Sequence, residues 1–314
     1  MTCTSPAGGT VVQDTRQLLQ LDQCRRIGSV PEILQQVTTP LRYEEWHQML
    51  QNHSNQALVQ YILSGIKEGF RIGFNYGKAS CKSAKCNLLS AETNPEVVTA
   101  YLQEEVMSGR VLGPLHLGSI PGVQVSPFGV IPKSHSPGKW RLIVDLSSPS
   151  GSSVNDGICP EMCSLSYISV DDIDVSKIVA SLGRGTLLAK VDIKSAYGIV
   201  PVHREDRPLL GMQWKGQLYV DTCLPFGLRS APRIFTALAD TLEWCAKEQG
   251  VSHLLHYLDD YITIGSAGSE ECKANMVTLI ATCNKLGVPV APDKSEGPVT
   301  RLTYLGIEVD TIQM

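Results

Sequence analysis

Two adjacent carboxylates, Asp259 and Asp260, stand between two short apolar runs at 254–258 and 261–264. The runs predict the two strands of a β-hairpin with the acids at its turn. Because like charges this close oppose each other's ionisation, a cation is expected beside them, and magnesium would relieve the repulsion. A solvated turn is the alternative, since aspartate favours turns through hydrogen bonds to its own backbone.

A third carboxylate, Asp192, follows the apolar run 187–191, and a strand there would bring it to the edge of a sheet. Three acids on neighbouring strand ends could hold two magnesium ions. Such a pair of ions stabilises both the attacking and the leaving oxygen in phosphoryl transfer. The residues therefore indicate metal-assisted phosphoryl-transfer chemistry.

The composition sets the class of protein. With 314 residues and 43% hydrophobic content, the chain can bury a sizeable core in one large or two smaller domains. The net charge of −4 excludes a generally basic nucleic-acid binder, so a polyanion would meet a local patch around Lys133, His135, Lys139 and Arg141. No apolar run reaches bilayer-spanning length and the N-terminus lacks a secretory pattern. We therefore expect a soluble, intracellular protein without a membrane partner.

Other metal and nucleotide sites are less well supported. Cys81 and Cys86 form a Cys-x4-Cys pair, Cys159 and Cys163 a Cys-x3-Cys pair, and neither has histidines at zinc-finger spacing. Free thiols are favoured over structural zinc. The glycine-bearing segment before Lys78 departs from the P-loop pattern, and the sequence has no His-Glu-x-x-His.

Strands and helices alternate without a repeated βαβ unit, which predicts an α+β fold with helices on one face of an antiparallel sheet. A weakly structured tail is expected up to about residue 40, and a polar linker at 81–91. Predicted helices cover 58–66, 94–108 with Asn94 as the cap, 230–247 and 269–286 before Gly287. Predicted strands cover 126–130, 140–146, 187–191, 218–222 and 301–309. The boundary is placed at residue 94: an N-terminal extension of unknown function at 1–93, partly helical, and the main domain at 94–314.

Several segments resemble the motifs of reverse transcriptases, in the same order. Motifs A, B and C are matched by residues 191–197 (VDIKSAY), 224–232 (LPFGLRSAP) and 257–260 (YLDD). Residues 139–145 are similar to the fingers hairpin, 286–287 with 292–294 to motif D, and 304–306 to the start of motif E. Five or six such segments in order make an accidental match improbable. Segments 126–133 (SPFGVIPK) and 153–156 (SVND) are more similar to retrotransposons of the DIRS or gypsy type than to retroviruses.

The resemblance implies the fingers and palm of an RNA-dependent DNA polymerase, with a ferredoxin-like palm sheet and no complete thumb. Asp192, Asp259 and Asp260 would be the catalytic triad that holds two Mg²⁺ ions, with Mn²⁺ as a possible substitute and Asp260 secondary. The implied partners are an RNA or DNA template with its primer, and deoxynucleoside triphosphates.

The resemblance also implies residues that bind the incoming nucleotide: Lys133, Arg141, Tyr197, Phe226, Gly227 and Lys294. Tyr197 would be the steric gate against a 2′-hydroxyl, with a core tyrosine as the alternative. Phe226 stands where retroviral enzymes carry glutamine. Gly227 would let the motif B backbone approach the template or nucleotide closely, or it is an ordinary turn glycine.

The basic residues have a second interpretation as solvated surface charges. Lys133 and Arg141 match fingers residues that bind the triphosphate, where a guanidinium can hold phosphate oxygens with two hydrogen bonds. Lys294 would protonate or neutralise the departing pyrophosphate. A solvated hairpin face is the alternative for Lys133 and Arg141, and an ordinary exposed lysine in a turn is the alternative for Lys294.

A catalytically inactive nucleic-acid-binding remnant of such a polymerase is the competing function. The presence of all three acids and of Tyr197 argues against it, because a binder has no need of paired acids facing a polyanion. Without a thumb, a polymerase should hold its primer and template weakly, since part of the phosphate-contacting surface is missing.

Overall fold

The computed structural model describes residues 15–23, 30–77, 83, 86–132, 138, 140–165 and 173–313. Its helices are α1 Thr15–Asp22, α2 Tyr43–Met49, α3 Gln56–Glu68, α4 Leu89–Thr93, α5 Pro95–Met107, α6 Pro160–Cys163, α7 Ile173–Leu182, α8 Ala231–Glu248 and α9 Glu271–Leu286. Its strands are β1 Val111–His116, β2 Phe128–Pro132, β3 Trp140–Val144, β4 Leu187–Asp192, β5 Gly211–Trp214, β6 Gln217–Asp221, β7 Leu254–Tyr257, β8 Asp260–Gly265, β9 Glu296–Val299, β10 Arg301–Tyr304 and β11 Ile307–Asp310.

A four-stranded antiparallel sheet in the order β7-β8-β4-β9 forms the centre of the palm. Its two middle strands are apolar on both faces because both faces are covered. Val191 and Tyr261 contribute to the main core, while Leu188, Ile262 and Ile264 belong to a separate buried cluster on the opposite face. This antiparallel sheet with packed helices agrees with the predicted fold class.

The two long helices, α8 and α9, pack on the Tyr261 face, whereas the prediction that helices lie on one side only is wrong for α7, which packs on the other face. Tyr261 is fully buried and its hydroxyl donates a hydrogen bond of 3.0 Å to the carbonyl of Ala239 in α8. Helix α9 ends at Gly287, whose φ of 77° is the left-handed conformation that glycine adopts without a Cβ penalty. The sheet therefore has a rigid support behind the strands that carry the acids.

The opposite face carries α7 and a second hairpin made of β10 and β11. The predicted single strand at 301–309 is wrong, because Leu305 and Gly306 form a tight turn with φ of 51° and 82°. Two positive φ values in a two-residue loop have the twist that a hairpin requires. The hairpin places Tyr304 beside the ends of β4 and β8.

The fingers contain the hairpin β2-β3 and the sheet β1-β6-β5, with α4 and α5 packed nearby. Asn94 is the N-cap residue of α5, as predicted, but its side chain does not cap the helix: it donates to the carbonyl of Ser90 at 2.9 Å and accepts no bond from the helix. Pro95 still begins α5, where a missing N–H costs nothing. The predicted polar linker at 81–91 is also too long, since α4 begins at Leu89.

The described part of the N-terminal region is ordered and packed against the palm. The predicted tail is wrong for α1, whose Leu18 and Leu21 are fully buried in the same core as Trp46 and the palm residue Tyr261. The domain boundary at residue 94 stays a prediction. Among the described helices, none has both the length and the apolar content needed to cross a membrane.

Candidate active site

The structure brings the three predicted acids together at one end of the palm sheet. Asp192 is the last residue of β4 and Asp260 the first of β8, and the two are direct partners across the strands. Opposed residues on paired strands project to the same face, so these two carboxylates share one surface. Asp259 occupies the turn before β8, where its carbonyl accepts a hydrogen bond of 3.0 Å from the N–H of Ile193.

The hairpin turn that carries Asp259 is held by contacts from both sides. Leu258 has a φ of 53°, an uncommon conformation for a branched side chain that persists only when the surroundings impose it. The hydroxyl of Tyr304 donates to the carbonyl of Asp260 at 3.0 Å. The imidazole of His256 bonds the carbonyl of Leu258 at 3.3 Å. These bonds fix the position of the acidic pair.

His256 is also bound by carboxylates on α8. Its Nε2 lies 2.9 Å from Asp240 and 3.3 Å from Glu243, while Nδ1 faces the Leu258 carbonyl. Burial by itself lowers the pKa of His256, but the bonds and charges of Asp240 and Glu243 outweigh burial and raise it. Because both ring nitrogens face acceptors, the arrangement favours the doubly protonated ring.

The electrostatics of the site favour an additional cation. Burial raises the pKa of Asp259, and the nearby charge of Asp192 raises it further. Burial, Asp259 and Asp192 together raise the pKa of Asp260 to about 6. Carboxyl groups with raised pKa values in one site repel each other as they ionise, and a bound cation removes that penalty.

Lys294 supplies one such positive charge. Its Nζ lies 3.0 and 3.1 Å from the two carboxylate oxygens of Asp192, although its side chain is 62% exposed. The segment before it is fixed against β4, because the N–H of Ala291 donates to the carbonyl of Asp192 at 2.8 Å. Asp192, Asp260 and Lys294 line a cleft of about 270 Å³ together with Lys190 and Tyr304.

The predicted nucleotide residues form a second cluster, built from motifs A and B and the fingers. The ring of Tyr197 lies 5.1 Å from that of Phe226 and 5.6 Å from that of Phe235. The guanidinium of Arg141 lies over the Phe226 ring at 5.3 Å from its centroid, within the range of a cation–π contact. Phe226 remains 49% exposed, so its ring is accessible to a ligand.

Gly227 fits the motif B turn only as glycine. Its φ is 92°, and a Cβ added there would lie 2.8 Å from the carbonyl oxygen of Val144 at the end of β3. The turn is bound by the buried side chain of Asn155, which donates to the Gly227 carbonyl at 2.9 Å and accepts from the Arg229 N–H at 2.8 Å. The sequence predicts no role for Asn155. The only signal for one is its position in the segment 153–156, which is similar to retrotransposon sequences.

Lys133 lies outside the described residues, so its nucleotide-binding role stays a prediction. In the described part of the chain, no three His, Cys, Asp or Glu side chains are grouped closely enough to enclose one metal ion. Magnesium does not need such an enclosure, since it is usually held by one or two carboxylates together with waters and substrate phosphates. The oxygen donors of Asp192, Asp259 and Asp260 therefore fit magnesium chemically.

The sequence is similar to polyproteins of retroelements. A stretch of 185 residues, 58% of the chain and 14% of the relative, is 27% identical to the retrovirus-related Pol polyprotein from transposon 412 of Drosophila melanogaster. A stretch of 151 residues, 48% of the chain and 10% of the relative, is 26% identical to the Tf2-3 transposon polyprotein of Schizosaccharomyces pombe. The chain thus spans a small part of the curated relatives it matches.

The fold is similar to that of foamy virus protease-reverse transcriptases. One solved complex with an RNA/DNA hybrid has a TM-score of 0.56 and 15% identity, covering 92% of this chain and 37% of that chain. A complex with double-stranded DNA gives a TM-score of 0.54 and 16% identity, over 88% and 56%. The model of one family, reverse transcriptase (RNA-dependent DNA polymerase), matches residues 131–309, more than half of the chain. This protein belongs to the reverse transcriptase family.

Proposed function

We propose that this chain catalyses template-directed DNA synthesis as part of a retroelement, by attack of a primer 3′-hydroxyl on the α-phosphate of a deoxynucleoside triphosphate. The observation that carries the proposal is the cross-strand pairing of Asp192 with Asp260, with Asp259 in the adjoining turn. Membership in the family and the similarity to retroelement polyproteins support it. The narrower DIRS or gypsy subtype stays a prediction.

Asp192, Asp259 and Asp260 would hold the magnesium ions. When bound, magnesium would polarise the reacting phosphate and stabilise the attacking and leaving oxygens. The protein's own contribution is to fix the carboxylates before substrate arrives: Tyr304 binds the backbone of Asp260, and strand pairing positions Asp192. Fixed charges that need no reorganisation during the reaction lower its barrier.

Lys294 would act on the triphosphate. In the described structure its ammonium group is bound to Asp192, and its exposed stem allows the group to move to a phosphate oxygen when substrate binds. There it would neutralise or protonate the departing pyrophosphate. This role requires a flexible cation with several donors, which an exposed lysine provides.

The aromatic cluster would bind the nucleotide's sugar and base. Tyr197 is held between Phe226 and Phe235, so its ring cannot easily rotate away from a 2′-hydroxyl. Arg141 lies above the exposed Phe226 ring, where a guanidinium can reach phosphate oxygens while it keeps its contact with the ring. Gly227 would keep the motif B backbone close to this cluster.

The proposed partners are a primer with an RNA or DNA template. The solved relatives include a protease-reverse transcriptase in complex with an RNA/DNA hybrid and one in complex with double-stranded DNA. We expect this chain to bind the same kinds of duplex beside the acids.

Primer extension on poly-rA/oligo-dT with magnesium and dTTP tests the proposal. The native chain should extend the primer, and the variant with both Asp259→Asn and Asp260→Asn should bind the duplex but not extend it. Extension that persists in the double variant would refute the site assignment. Duplex binding without extension by the native chain would favour the inactive binder.

A further inference from the structure

A segment of the N-terminal region, residues 34–46, binds two segments that lead to the proposed site, the turn Ala196–Ile199 and the C-terminus of α9; we call it the N-terminal strap. Leu34 and Trp46, at its two ends, are fully buried. Near the first end, the buried guanidinium of Arg207 donates to the carbonyl of Leu34 at 2.8 Å and to that of Val202 at 2.9 Å. The strap is therefore anchored to the palm at this end.

The middle of the strap binds the turn that follows Asp192. The hydroxyl of Thr39 donates a hydrogen bond of 2.7 Å to the carbonyl of Ile199, 160 positions away in sequence. The same oxygen accepts a bond of 3.2 Å from the N–H of Leu41, which fixes the direction of the hydroxyl. Ile199 ends the short helical turn Ala196–Ile199, in which Tyr197 lies. Thr39 thus fixes the far end of the turn that carries the proposed gate.

The end of the strap binds the C-terminus of α9. Helix C-termini leave carbonyls without partners inside the helix. The carbonyl of Leu286 accepts two hydrogen bonds of 3.0 Å from the strap, one from the Arg42 N–H and one from the Trp46 indole. Packing is close at the next residue, where a Cβ added to Gly287 would lie 2.0 Å from the Pro40 carbonyl oxygen.

The chain that leaves α9 continues directly to the acids. The Pro289 carbonyl accepts a bond of 2.8 Å from the Lys194 N–H, and the Ala291 N–H donates to the carbonyl of Asp192. Lys294 then binds the Asp192 carboxylate. The strap therefore binds the turn that contains Tyr197 through Thr39. It also binds the end of α9, from which the chain continues to Lys294, through Arg42 and Trp46.

We propose that the N-terminal strap is a positioning element for nucleotide selection. It holds the turn that contains Tyr197 in a fixed position relative to residues 287–294, the segment that ends at Lys294. Thr39 is its positioning residue for the turn. The inference rests on the proposed function, because selection is meaningful only if the chain polymerises nucleotides. It also assigns a role to part of the region for which the sequence predicts none.

The variants Thr39→Val and Thr39→Ser of the full chain test this proposal. Valine has nearly the shape of threonine but lacks the hydroxyl, whereas serine retains it. Thr93→Val is the matched control, since the Thr93 hydroxyl makes an exposed bond to the Leu89 carbonyl in α4. Hydrogen exchange of peptides covering 194–200 and 287–294 reports the order of the two segments without requiring activity.

We expect Thr39→Val to speed hydrogen exchange in residues 194–200. The same variant should raise the KM for dTTP and lower the preference for dTTP over UTP. Each of these three changes should be about threefold to tenfold. Thr39→Ser and Thr93→Val should behave like the native chain. Native exchange in Thr39→Val would overturn the proposal, as would faster exchange with unchanged KM and preference. If the native chain extends no primer, the proposed function fails, and the strap has no role in nucleotide selection. The hydrogen-exchange result then decides only whether the strap orders the turn that contains Tyr197.

Discussion

Replacing Asp260 with asparagine should stabilise the metal-free protein at neutral pH. The surroundings raise the pKa of this carboxyl from 3.8 to about 6. A raised carboxyl pKa means that the folded chain binds the proton more tightly than the unfolded chain, so stability falls as pH rises between those values. The shift corresponds to about 3 kcal/mol, and solvent screening of this partly exposed group reduces the expected gain to about 1 kcal/mol.

Urea and thermal denaturation in EDTA, over a series of pH values, measure this gain against the native chain. The variant should be more stable at neutral pH, with a melting temperature about 2 °C higher, and the difference should shrink as pH falls toward 3.8. Glu104→Gln, which removes a carboxylate from the exposed surface of α5, is the control. Added magnesium should stabilise the native chain more than the variant. A variant that is less stable than the native chain at neutral pH in EDTA would refute the electrostatic reasoning.

Three further changes test the supports of the site. Asn155→Ala should lower the unfolding free energy by about 1 to 3 kcal/mol, because it removes the hydrogen bonds of the buried Asn155 amide to the Gly227 carbonyl and the Arg229 N–H; an unchanged urea midpoint would contradict this. Gly227→Ala should lower the unfolding free energy by about 1 to 3 kcal/mol, because alanine would have to adopt a φ of 92° and its Cβ would lie too close to the Val144 carbonyl oxygen. The same variant should raise the KM for the nucleotide in primer extension. An unfolding free energy and a KM that both equal the native values would show that the turn relaxes freely. The native chain should be more stable than His256→Gln. This difference in unfolding free energy should be fully present below the ordinary histidine pKa of 6.5 and should be lost as pH rises through the raised pKa of His256. A contribution that grows with pH would be inconsistent with the ion pairs to Asp240.

Much of the catalytic end of the palm could be predicted because its signals are local. Apolar runs on either side of Asp259 and Asp260 predict the hairpin, and the run ending at Asp192 predicts the third strand end. The helix ending at Gly287 was equally clear, since a periodic apolar face is followed by the residue that best adopts a left-handed conformation. The role of each acid came from the resemblance to a family.

The remaining features depend on contacts between distant residues. Thr39 and Ile199 are 160 positions apart, and Trp46 and Leu286 are 240 apart, so no local pattern of residues near the N-terminus indicates these hydrogen bonds. Asn94 precedes α5 and has the residue type of a cap, yet its side-chain NH2 donates to the Ser90 carbonyl and its side-chain oxygen accepts no bond from the helix. The hairpin at 301–310 was missed because apolar residues continue through its turn.

The rate of a single nucleotide incorporation under single-turnover conditions tests the central claim most directly. The comparison is between the native chain and Asp192→Asn, which keeps the size of the side chain but removes its charge, with Asp145→Asn in the fingers as control. If Asp192 helps to hold the magnesium ions at the reacting phosphate, its loss should slow incorporation at least about a thousandfold while the duplex still binds. A rate for Asp192→Asn within about tenfold of the native rate would contradict the account.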